Sequence, residues 1–265
     1  MPVPLPSPQA GTEPITVDVV EEGRGSALVF LHGGWGYDIY PIDQRALARH
    51  HRVVIPSRSG YGRSTPVDAF PAHFHHQAVL ETVAVLDALN IERAVWWGHS
   101  DGAVIAAMAA LEVPQRVEAL VVEALHYYVD KPRSRAFFER MATDPDAFGE
   151  RVRRTLAAEH GEPRWRTVLR LDGQAWLDLA ERAATPHSDL YRGRLGEVTQ
   201  PTLIIHGGQD PRTEAGELDA IRAALPAAQL ALYPEAGHSP HSEKPTREAV
   251  TTLIAAFLGD PPRTP

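Results

Sequence analysis

The strongest chemical signal in the chain is Gly98-His99-Ser100-Asp101-Gly102. It follows a short apolar run at 94–97 and precedes a run of helical character at 103–111. In a strand, G-x-S-x-G, helix context the serine sits on a tight, strained turn, its hydroxyl clear of the backbone. Glycines two residues to either side leave room for such a turn. The helix N-terminus behind it favours negative charge developing beside the serine. Ser100 is therefore the candidate nucleophile.

A serine hydroxyl is a weak nucleophile near neutral pH and needs a base, which itself needs an orienting group. After this kind of elbow the acid and the histidine should come later in the chain, each just past a late strand. The apolar run at 202–205 leads into His206-Gly207-Gly208-Gln209-Asp210, and the run at 230–233 leads into Pro234-Glu235-Ala236-Gly237-His238. Asp210 and His238 are the candidates for acid and base. Rivals exist among 13 histidines: His241 lies three residues past His238, while His206 and His99 read as packing residues. Glu123, at the end of the run 119–122, is the rival acid.

An oxyanion hole needs two N–H donors aimed at the developing charge. The residue after the nucleophile, Asp101, offers one. The loop His32-Gly33-Gly34-Trp35-Gly36 offers the other, through Gly34 or, as runner-up, Trp35. No G-x-x-x-x-G-K follows, so a phosphate loop is not expected. Trp35, Asp101, His126 and Tyr127 are the candidate substrate-binding residues, the last two lying just past a strand end.

The elements that must position these groups follow from hydrophobic rhythm. Short runs at 15–20, 27–31, 51–55, 94–97, 119–122, 202–205 and 230–233 read as strands, the one at 27–31 continuously apolar. Helical patterns at 42–49, 75–89, 103–111, 214–225 and 246–258 separate most of them. Such alternation predicts an α/β fold with a parallel sheet covered by helices on both faces. The rhythm breaks only between about 130 and 195. Residues 131–195 hold 13 basic and 10 acidic side chains, against a net charge of −8 for the whole chain. This predicts a helical cap or lid at 131–195 on a core of 1–130 and 196–265. An insertion at that edge of a parallel sheet would lie over its ligand site. Phe137, Phe138, Trp165, Trp176 and Tyr191 in the cap are candidates either for its core or for lining a pocket.

The 265 residues are 43% hydrophobic and 23% charged, the composition of a folded globular chain rather than a disordered one. The acidic balance argues against nucleic acid and anionic membrane as partners. No apolar run reaches the ~18–20 residues of a membrane span. The first 14 residues, MPVPLPSPQAGTEP, read as an extended, loosely held leader without the features of a secretory signal, which makes the cytoplasm the expected compartment. With no cysteine, disulfides and thiolate sites are excluded. No metal or cofactor is expected, and oligomeric state is not readable.

With elbow, glycine loop, acid and base in this order, the chain resembles an α/β-hydrolase fold serine hydrolase from about residue 15 to 258. That resemblance implies an eight-stranded, mostly parallel sheet with a helical cap between the sixth and seventh strands. It implies hydrolysis of small carboxylic esters through an acyl-enzyme. Lactone or C–C bond hydrolysis, acyl transfer, perhydrolysis and slow-turnover ligand sensing are alternatives on the same fold. The family often carries D-x-R-G-x-G-x-S after the fourth strand, whereas this chain has Ser57 and Ser59 at the Asp and Arg positions. Phe70-Pro71-Ala72, Phe74 and Ser100-Asp101-Gly102 are similar to the valacyclovir-hydrolase (biphenyl-hydrolase-like) group. In that group the residue matching Asp101 recognises the α-amino group of amino-acid esters; in the plainer reading Asp101 caps the elbow helix.

Overall fold

A computed structural model describes residues 1–5, 14–185 and 187–260. The strands are β1 (Pro2–Leu5), β2 (Ile15–Glu22), β3 (Ser26–Leu31), β4 (His51–Ser57), β5 (Ala94–His99), β6 (Val117–Glu123), β7 (Thr202–Gly207) and β8 (Gln229–Tyr233). They form one eight-stranded sheet in the order β1-β2-β4-β3-β5-β6-β7-β8. The β1/β2 and β2/β4 pairs are antiparallel, and every other pair is parallel.

The unbroken apolar runs have a simple cause. Successive strand residues face opposite sides of the sheet, and both sides here are covered. Val29, Leu31, Trp96 and Val122 join a core beneath α2 (Phe74–Ala88) and α3 (Asp101–Glu112). Phe30, Trp97, Val121 and Ile205 join a second core with Leu47 of α1 (Gln44–Leu47) and Val250 and Ile254 of α8 (Arg247–Phe257). The remaining core helix, α7, runs over Glu217–Ala224. Fully burying each such side chain contributes roughly 1.5–3 kcal/mol.

The leader differs from its expected loose state. Residues 2–5 add an edge strand to β2, with Val3 and Leu5 buried. Prolines are tolerated at a sheet edge, where a missing N–H breaks no inner ladder. The rest of that stretch, 6–13, lies outside the described residues. Between β6 and β7 the chain forms α4 (Arg135–Thr143), α5 (Glu150–His160) and α6 (Arg164–Glu181). α4 and α6 cross closely at Gly173, where a Cβ would come 2.6 Å from Phe138 O. Phe138 stacks on Trp176 there with ring centroids 5.3 Å apart. Among the described residues, no helix is long and apolar enough to cross a membrane.

Candidate active site

Ser100 is the residue between β5 and α3, and it holds φ +56° and ψ −120°. Such a conformation costs a non-glycine residue on the order of 1–3 kcal/mol and persists only when its surroundings fix it. The two glycines do so by close approach. A Cβ on Gly98 would come 2.0 Å from Gly102 O, and one on Gly102 would come 1.9 Å from Leu31 O. Helix α3 therefore presses directly against the end of β3. The Ser100 N–H donates to Glu123 O at 2.9 Å, tying the elbow to β6.

Asp210 and His238 meet at the ends of β7 and β8. His238 Nδ1 lies 2.9 Å from both Asp210 oxygens, so this nitrogen is the donor and Nε2 is left free. The Arg212 N–H also donates to Asp210 Oδ1, at 2.8 Å. Burial would raise the Asp210 carboxyl, but the His238 charge and these hydrogen bonds outweigh it and hold the group below the usual range. His99 Nε2 fixes the His238 loop from below, through His238 O and Ser239 Oγ, each at 3.0 Å. The rivals are occupied elsewhere. Glu123 Oε1 accepts the His241 N–H at 3.0 Å and sits 2.9 Å from His241 Nδ1. His206 Nε2 bonds Thr213 Oγ1 at 2.9 Å.

Ser100, His238, Gly34, Trp35, Asp101 and His126 all line one cavity of about 350 Å³. Within it the Ser100 Oγ partner is His126 Nε2, at 3.3 Å. The rings of His126 and His238 lie nearly parallel with centroids 5.9 Å apart. Burial, and next the charge of Lys131, hold His126 well below its usual range, so it is a neutral imidazole. Tyr127 does not line the cavity: its ring packs on Tyr128 and Tyr191 and against the core beneath α3.

The glycine loop reaches the nucleophile. A Cβ on Gly33 would come 3.1 Å from Ser100 Cβ, and one on Gly34 would come 2.2 Å from Asp172 Oδ2. No acceptor among the described residues takes the N–H of Gly34 or Asp101. Two residues at the end of α5 grip this loop. Glu159 accepts the Tyr37 N–H at 2.7 Å and the Asp38 N–H at 3.0 Å. His160 accepts the Gly62 N–H at 2.8 Å on Nδ1, and its Nε2 donates to Trp35 O at 3.1 Å.

In the cavity wall lies a buried charged cluster that the sequence pattern does not reveal. Trp176 Nε1 donates to Asp101 Oδ1 at 3.0 Å, and His75 Nε2 sits 3.4 Å from the same oxygen. Arg58 Nη2 lies 3.8 Å from Asp101 Oδ2 and donates to Gly33 O at 3.0 Å. Burial pushes both Asp101 and Asp172 up. The His75 bond and charge, then Arg58, overcome this for Asp101, whereas the Asp101 charge pushes Asp172 higher still. The two carboxyls are thus driven in opposite directions, Asp101 below the usual range and Asp172 well above it. From the inserted helices, Phe137, Phe138, Phe148 and Trp176 line the cavity, while Trp165 packs with Leu156 and Leu169, and the Tyr191 hydroxyl donates to His126 O. Among the described residues, no group of three or more His, Asp or Glu side chains could hold a metal ion.

Comparison with known proteins bears on the family and the fold. A mouse (Mus musculus) protein, serine hydrolase BPHL, is 27% identical over 226 residues, covering 84% of this chain and 76% of that protein. A pimeloyl-[acyl-carrier protein] methyl ester esterase from Photobacterium profundum is 30% identical, covering 88% of this chain and 94% of that protein. Among solved structures, a hydrolase from Pseudomonas aeruginosa matches with TM-score 0.71 at 23% identity, over 97% of this chain and 98% of that one, which speaks for the fold. The sequence model of the alpha/beta hydrolase family matches residues 28–251. Spanning the sheet from β3 to β8 and the first turn of α8, that match makes the chain a member of the alpha/beta hydrolase family.

Proposed function

We propose that the chain hydrolyses small carboxylic esters through an acyl-enzyme on Ser100. The observation that carries this reading is His238, held by Asp210 at 2.9 Å with Nε2 free, in the same cavity as a serine at φ +56°. Rotation about the Ser100 Cα–Cβ bond turns Oγ from His126 toward His238. His238 Nε2 takes the hydroxyl proton as Oγ attacks the ester carbonyl. The N–H groups of Gly34 and Asp101 receive the oxyanion, an effect worth about 10²–10³ in rate per donor. His238 then protonates the departing alkoxide, and a water activated by the same imidazole releases the acid. Asp210 holds the tautomer and balances the imidazolium. His126 is not the base in this scheme, because burial and the Lys131 charge weaken its hold on a proton and no carboxylate among the described residues orients it.

The helices between β6 and β7 serve as the lid, since Phe137, Phe138, Phe148 and Trp176 close an aromatic chamber over Ser100. A cavity of this size suits a small acyl or alcohol group. The named activity of the methyl ester esterase relatives supports ester chemistry. Asp101 adds a preference for α-amino esters. Its carboxyl is held below the usual range and lines the chamber, and among the described residues Oδ2 takes no hydrogen bond, with Arg58 Nη2 3.8 Å away. The test is hydrolysis of p-nitrophenyl butyrate by the protein and by Ser100→Ala. Turnover by the first alone supports the reading, and equal rates would reject it.

A further inference from the structure

One cation of the chamber has no carboxylate to answer it. Arg212 follows Asp210 and Pro211 on the loop after β7, and its side chain lines the cavity. Its guanidinium carbon lies 3.4 Å from the centroid of the Phe137 ring, face-on. The neighbouring carboxylate, Asp210, is already committed: both its oxygens face His238 Nδ1, and Oδ1 also accepts the Arg212 backbone N–H. Among the described residues the Arg212 guanidinium forms no ion pair, whereas Arg135, Arg166 and Arg194 each meet a carboxylate. Arg140, on α4, brings a second cation to the same cavity. Placing a planar, partly desolvated guanidinium on an aromatic face leaves its donor fork open, and a carboxylate matches that fork in two parallel hydrogen bonds.

We propose that Arg212, with Arg140 beside it, forms a carboxylate subsite, so that the ester turned over at Ser100 carries a free carboxylate on one of its two arms. The subsite rests on the ester-hydrolase reading above. It goes beyond that reading by fixing a charge on the substrate, at a group other than the Asp101 carboxylate. The chamber is then dipolar, with the anionic Asp101 at one place and the Arg212 cation at another.

Two measurements test it. The first compares kcat/KM for mono-p-nitrophenyl adipate with that for the same ester whose free carboxyl is capped as a methyl ester. The carboxylate form should be favoured by about tenfold or more, Arg212→Gln should bring the ratio toward one, and Arg212→Lys should fall between. A ratio unmoved by Arg212→Gln overturns the subsite. Because the readout is a ratio, a general loss from a displaced lid does not imitate the result. The second needs no turnover: titration calorimetry of monomethyl adipate and dimethyl adipate into Ser100→Ala. Tighter binding of the monoanion, lost in Ser100→Ala/Arg212→Gln, supports the subsite, and equal or absent binding of the two overturns it. If the wild type cleaves neither ester, the hydrolase reading fails and calorimetry alone decides the subsite. If it cleaves both with a ratio indifferent to Arg212, the subsite fails and the hydrolase reading stands.

Discussion

Ser100 Oγ lies 3.3 Å from His126 Nε2, although the imidazole with a carboxylate behind it is that of His238. Two histidines thus flank one hydroxyl, and their surroundings divide the work. His238 has Asp210 on Nδ1. His126 is buried, has Lys131 as its next strongest influence, and stays neutral. His238→Ala should lower kcat by about 10³-fold or more. His126→Asn should cost about tenfold or less and leave the acid limb of the pH–rate profile in place. Steady-state kinetics on both variants across pH 5–9 decides this, and a larger loss in His126→Asn would make His126 the base.

The rival acid should behave as a structural group. Asp210→Asn should cost about 10³–10⁴ in kcat with little change in melting temperature, since it spoils the tautomer of the base. Glu123→Gln should do the reverse. Removing one partner of a buried ion pair typically costs about 3–5 kcal/mol. The pairing also sets a pH dependence. Burial lowers His241, but Glu123 outweighs this and the folded value ends above 6.5. The His241 contribution is therefore full below pH 6.5 and is lost as pH rises through the raised folded value. Thermal melts and kcat on both variants separate the two roles.

Glu159 makes the grip of α5 on the glycine loop sensitive to pH. Burial raises its carboxyl from 4.5 to about 7 against the opposing bonds from the Tyr37 and Asp38 amides. A raised carboxyl favours folding most below pH 4.5, and this advantage declines as pH climbs from 4.5 through about 7. The full swing is on the order of 3 kcal/mol. Glu159→Gln should flatten this part of the stability–pH curve while losing one amide hydrogen bond. Chemical denaturation of both proteins at pH 5 and pH 8 measures it, and parallel curves would refute the assignment.

The amine preference at Asp101 has its own test. An ion-assisted hydrogen bond is worth about 1.5–3 kcal/mol. Alanine benzyl ester should therefore be favoured over benzyl propionate by roughly ten- to hundredfold. Asp101→Asn, which keeps an acceptor for Trp176 Nε1, should remove most of that ratio. An unchanged ratio would leave Asp101 with only its ties to Trp176, His75 and Arg58.

The chemistry-bearing positions were legible where backbone geometry dictates residue type. Gly98 and Gly102 are readable because any side chain would strike Gly102 O or Leu31 O. The ends of β7 and β8 were readable because a parallel sheet delivers its strand ends to one edge, which brings Asp210 and His238 together. The edge strand β1 was hidden by its prolines, which read as irregular chain until a neighbouring strand supplies the pairing. The facing of Tyr127 depends on how the chain turns after β6, beyond the reach of periodicity. Asp172, Arg58, Arg212 and Glu159 were invisible for a shared reason: each acts across a contact between segments distant in sequence. Arg58 stands one residue from the position where the related motif has its Arg, and it still reaches Gly33 O and Asp101.

If Ser100 is the nucleophile, the acyl group passes through its Oγ. Mixing the protein with p-nitrophenyl butyrate, quenching in acid within the first turnovers and mapping peptides by mass spectrometry tests it directly. A butyryl adduct should appear on the peptide containing Ser100, more abundant in His238→Ala relative to its turnover and absent from Ser100→Ala. An adduct on another residue, or equal turnover with Ser100→Ala, would contradict it.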